Sequence, residues 1–82
     1  MMNTYNAYRD AKNRFFANHK YNFSAHTSEM ASDGSYNKIY NFADGAQWFE
    51  YYGVAYTESG KMFKVEYFST DNAESNCYYE RY

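Results

Sequence analysis

The chain has 82 residues, a formal net charge of −2, one cysteine and no proline, and 24% of it is aromatic. That length makes one small domain, residues 1–82, near the size at which a single core just suffices, and the lone Cys77 excludes an internal disulfide or a CxxC metal site. Aromatic content at near-neutral charge argues against disorder, and no apolar run is long enough for a signal peptide or membrane span, so a folded protein of a reducing cytoplasm is expected.

Residues 4–18 are the predicted helix. Thr4 can cap it, Tyr8, Ala11 and Phe15 recur at spacings of three and four along one face, and Asn18 or His19 would end it. Arg9, Lys12, Asn13 and Arg14 surround the other sides. The first 20 residues carry a net charge of +3 and the remaining 62 a net of −5. This reads as a solvated basic helix lying on an acidic sheet.

From residue 20 to 30 the pattern changes to alternation, with Tyr21, Phe23 and Ala25 on one side and Asn22, Ser24, His26 and Ser28 on the other, which predicts a strand. Taking Asp33-Gly34 as the centre of the next turn sets Glu29 opposite Lys38, Thr27 opposite Tyr40 and Ala25 opposite Phe42. Asp44-Gly45 is a second turn, joining a strand at 36–43 to one at 46–57. A short helix capped by Asp44, with Gln47 as its capping-box partner and Gly53 past its end, competes for the start of the latter. The strand from Val54 onward stands either way.

A third turn at Ser59-Gly60 makes residues 46–70 a long aromatic hairpin. It pairs Tyr56 with Phe63, Val54 with Val65 and Tyr52 with Tyr67 on one face. The other face matches Ala55 with Lys64, Gly53 with Glu66 and Tyr51 with Phe68. After a polar loop at 71–76, residues 77–82 add a short edge strand or fold over the core. The expected fold is α+β, an N-terminal helix packed on a four-stranded antiparallel meander.

With no Leu, one Ile (Ile39) and two Val (Val54, Val65), rings must fill the core. One helix covers one face of a sheet. If it covers Trp48, Tyr52, Val54, Tyr56, Phe63, Val65 and Tyr67, then Tyr36, Tyr40, Phe49, Tyr51 and Phe68 are left outside beside Lys38, Lys64 and Glu66. Such a surface suits a protein partner, with Glu50, Glu58, Glu66, Asp71 and Glu74 facing a basic target. The C-terminal tail or a second copy in a homodimer is the competing cover.

Nucleic acid is the weaker partner. The run Lys61-Met62-Phe63-Lys64-Val65-Glu66-Tyr67 has a faint likeness to the base-stacking strand of RNA-recognition domains, but its glycines are absent and Glu50 and Glu66 oppose phosphate. His19 and His26 lack companions at ligand spacing and read as surface or boundary residues, and Cys77 as a small buried one. No catalytic, metal or cofactor residue is assigned.

Nine Asn, twelve Tyr and the acidic aromatic stretches Trp48-Phe49-Glu50-Tyr51-Tyr52 and Cys77-Tyr78-Tyr79-Glu80 resemble, in size and composition, the small phage- or plasmid-encoded inhibitors of bacterial defence, anti-CRISPR and anti-restriction proteins among them. The resemblance implies a non-enzymatic inhibitor in the host cytoplasm that occludes a nucleic-acid-handling complex.

Overall fold

In a computed structural model, which describes residues 4–19 and 22–82, Thr4 caps a helix as its residue type requires. Its hydroxyl accepts the Ala7 amide at 3.2 Å, and α1 (Tyr5–Asn18) ends where the His19 amide bonds the Phe15 carbonyl. Tyr21, expected on the first strand, lies outside the described residues.

Five strands follow: β1 (Phe23–Thr27), β2 (Tyr36–Phe42), β3 (Gln47–Thr57), β4 (Gly60–Ser69) and β5 (Asn76–Arg81), all antiparallel in the order 1-2-3-4-5. The four-stranded expectation is therefore corrected to five. The tail pairs along β4, setting Tyr78 opposite Val65 and its ring in the core. The competing short helix is absent as well. Gln47 already belongs to β3, and Asp44 accepts the Ala46 amide at 2.9 Å within a turn instead of capping a helix.

The three turn glycines share a left-handed backbone, with φ of 95° at Gly34, 89° at Gly45 and 114° at Gly60, and each comes after the two central turn residues; Gly34 and Gly45 close three-residue loops, and Gly60 opens β4 opposite Thr57. The Gly34 amide bonds the Ala31 carbonyl and the Gly45 amide the Phe42 carbonyl, as in type I turns with glycine fourth. The pairing expected for the first and third turns accordingly moves by two residues: Ala25 faces Tyr40, and Val54 faces Phe63. A shift of two keeps every side chain on its face.

α1 crosses one face diagonally. Tyr5 and Tyr8 meet Tyr78 of β5, Tyr8 also meets Tyr67 of β4, Phe15 meets Trp48 and Phe42, and Phe16 reaches Phe23 of β1. Beyond the helix, Tyr36, Tyr52, Phe63 and Tyr82 pack on one another, and Gly34 of the first turn lies against the Tyr82 ring. Edge-on and stacked rings thus do the work of aliphatic residues. The Cα trace measures 41 × 32 × 17 Å, a slab of one helix on one sheet. No described element covers the opposite face.

Candidate functional site

Alternation along β3 sends Trp48, Glu50 and Tyr52 to the helix side, so a carboxylate enters the core. Glu50 is 2% exposed. Its Oε2 accepts from the Tyr8 hydroxyl at 2.5 Å and Trp48 Nε1 at 2.9 Å and lies 2.9 Å from Lys12 Nζ; Oε1 accepts from the Tyr52 hydroxyl at 2.9 Å. Lys12 also donates to the Tyr8 and Tyr40 hydroxyls and lies over the Tyr40 ring. Burial alone would push the Glu50 carboxyl up, but the Tyr8 and Lys12 hydrogen bonds, the Lys12 charge and Trp48 outweigh it and hold it below the usual range. The Tyr8 and Tyr52 hydroxyls move the other way, raised by burial and by Glu50. Three donors on Oε2 and one on Oε1, from the helix and from β3, bind the helix to the sheet.

His19 ties the end of α1 to two loops. Its Nδ1 lies 2.7 Å from Asp44 and its Nε2 2.6 Å from Asp71, an arrangement in which both nitrogens donate only as imidazolium. Hydrogen bonds to Asp44 and then Asp71 raise its pKa, and the same contact, with the Ala46 amide, lowers that of Asp44. Among the described residues no group of three or more His, Cys, Asp or Glu is arranged to hold a metal ion, and no helix is long and apolar enough to cross a membrane.

The bare face is built by cross-strand register. His26, Ile39, Phe49 and Phe68 are successive partners across β1 to β4, giving an apolar row, and Phe49 and Phe68 stack at 4.7 Å. Asn37, Tyr51, Glu66 and Cys77 form the next row. Tyr51 lies along its own strand over Gly53, where any Cβ would meet the ring at 2.8 Å, so the glycine leaves room for it. Between the rows lies a shallow hollow of about 330 Å³ lined by His26, Ile39, Phe49, Tyr51 and Phe68. Tyr51 and Phe68 are 41% and 38% exposed.

Of the expected contact residues, the structure brings Phe49, Tyr51, Lys64, Glu66 and Phe68 together on this face, with Lys64 and Glu66 ion-paired at 3.6 Å. Three lie on the helix side instead, and three at the strand ends. Tyr36 and Tyr40 pair with Tyr52 and Trp48, which places them on the helix side, and Glu50 is the caged carboxylate. For Glu50, parity with Trp48 and Tyr52 along β3 was the signal. Glu58 sits at the β3–β4 turn, and Asp71 and Glu74 lie in the β4–β5 loop at the other end, where Asp71 is held by His19. Cys77 is half-buried on the bare face, not in the core. Compared with known protein families, curated proteins and solved structures, the chain matches none.

Proposed function

We propose that this chain works by binding another protein through the bare sheet face, as a non-enzymatic inhibitor that occludes a bacterial nucleic-acid-handling defence complex. The observation that carries the reading is the uncovered row of Ile39, Phe49 and Phe68 with Tyr51 beside it, in a slab only 17 Å thick. Rigid rings around a shallow apolar hollow are the usual anchors of a protein contact. Acidic residues at both ends of the strands, Glu58 at one and Glu74 at the other, favour a target with basic surface. Direct nucleic-acid binding is less well supported: Lys12 is spent on Glu50, and Glu66 sits among the exposed rings.

The test is expression in bacteria carrying an active CRISPR or restriction system, scored by phage plating. The chain should restore plating, and Tyr51→Ala with Phe68→Ala should abolish the effect while leaving the circular dichroism spectrum unchanged. A double variant that is folded and equally protective overturns the reading.

A further inference from the structure

Edge strands of a sheet differ in what their backbones offer. The Ala43 amide bonds the Asn22 carbonyl, and the Ser28 amide bonds the Asn37 carbonyl, so the even-numbered residues of this segment turn their main-chain groups toward β2. By the alternation of an antiparallel ladder, the amides and carbonyls of Phe23, Ala25 and Thr27 point away from the sheet, and no described residue meets them. All five residues of β1 are exposed. The strand has none of the usual protections of an edge: no proline, no lysine, no bulge. β5, at the other edge, carries Glu80 and Arg81.

We propose that two copies of this chain pair through β1, antiparallel about a two-fold axis at Ala25, to make one continuous sheet. The strand is complementary to itself in this register. Ala25 meets Ala25 of the second copy, Phe23 meets Thr27, and up to about six main-chain hydrogen bonds form between outward-facing groups. No acidic or basic side chain other than His26 lies on the strand, so two copies meet without like-charge repulsion. Phe23 gives the pairing an apolar component: one side of its ring packs on Phe16 and Phe42, both at 5.2 Å, while 47% of the residue stays exposed toward the edge. Edge pairing of five residues buries well under the ~800 Å² per partner of a standard interface, so the dimer is weak, with a dissociation constant on the order of 10 µM. The two-fold runs normal to the sheet and therefore leaves both bare faces on one side, doubling the surface proposed above without consuming it.

Sedimentation equilibrium of the full chain over about 1 to 200 µM tests this. A reversible monomer–dimer equilibrium is expected for the wild type. Ala25→Pro removes an outward amide that β2 does not use, so it should leave the spectrum intact and yield monomer throughout; Ala25→Lys, which introduces an edge charge, should do the same. Monomeric wild type at the highest concentration overturns the proposal, as does a dimer that survives both substitutions. A dimer lost only in Phe68→Ala also overturns it and assigns the contact to the bare face.

Discussion

Replacing Glu50 by Gln should be among the most damaging near-isosteric changes available to this fold. Three donors, Tyr8, Trp48 and Lys12, converge on one carboxylate oxygen and Tyr52 takes the other, all within 2.9 Å. Hydrogen bonds to a charged partner contribute about 1.5 to 3 kcal/mol against about 0.5 to 1.5 for neutral ones, so removing the charge costs roughly 1 kcal/mol per donor. The Gln carbonyl can serve the three convergent donors and the Tyr52 hydroxyl can rotate to accept from the new amide, which leaves a loss of about 3 kcal/mol. A domain of this length has only about 4 to 12 kcal/mol in total. At ~1 kcal/mol/M, the urea midpoint followed by tryptophan fluorescence should fall by about 3 M. The pH dependence has a definite sign. A carboxyl with a depressed folded pKa contributes stability above its unfolded value, and the contribution is lost as pH falls through the folded value, so the gap between wild type and Glu50→Gln should close in acid. A gap below about 0.5 kcal/mol, or one unchanged between about pH 7 and 3, would refute the cage as a stabilising element.

His19→Ala should lower the thermal midpoint near pH 6 and have less effect near pH 9. The raised imidazole contributes fully below its unfolded value of 6.5 and loses that contribution as pH rises through the folded value, while the depressed Asp44 loses its own only in acid. Gly60→Ala places a side chain at φ 114° in open space and should cost about 1 kcal/mol by urea titration. Gly34→Ala should cost more, because its Cβ meets the Tyr82 hydroxyl, and combining it with Tyr82→Ala should recover the excess. Val65→Ala, at a residue 0% exposed, should cost about 1 to 4 kcal/mol, whereas Phe68→Ala on the bare face should cost clearly less.

The helix was legible because Thr4, Tyr8, Ala11 and Phe15 state the same answer through capping and periodicity, and both cap and stripe are local. The faces of β3 and β4 were legible for a different reason: parity survives an error of two residues, so Tyr52, Val54, Phe63 and Val65 share a side whichever residue centres the turn. Placing the glycine inside the turn was the error, since type I turns put it last. Tyr36 and Tyr40 needed the β2–β3 register: a turn centred on Asp44-Gly45 sets Tyr40 opposite Phe49, whereas the observed register, one residue away, sets it opposite Trp48 and changes the face. β5 was undervalued because its partner, β4, is remote from any tight turn linking them. Glu50 was misread for a chemical reason. A carboxylate is taken as a surface group unless its partners are known, yet its parity with Trp48 and Tyr52, and the position of Lys12 four residues after Tyr8 and three before Phe15, held the information.

A core built from phenol rings creates a demand that a leucine core does not. Each buried tyrosine brings a hydroxyl that must be satisfied, and here Tyr8 and Tyr52 donate to Glu50, Tyr78 donates to Glu80, and Lys12 donates to the Tyr40 hydroxyl. Acceptors placed by strand parity answer donors from the helix and from the strands themselves, and no buried side-chain nitrogen or oxygen among the described residues lacks a partner. A saturated network of this kind fixes one packing of α1 on the sheet, because sliding the helix by a turn would strand several polar groups at about 1 to 3 kcal/mol each. Among the described residues, open contact area lies at the periphery, including ring faces on the uncovered side of the sheet and main-chain groups along β1. That division, with buried polar groups paired inside and contact area open outside, is the arrangement the proposed binding role requires.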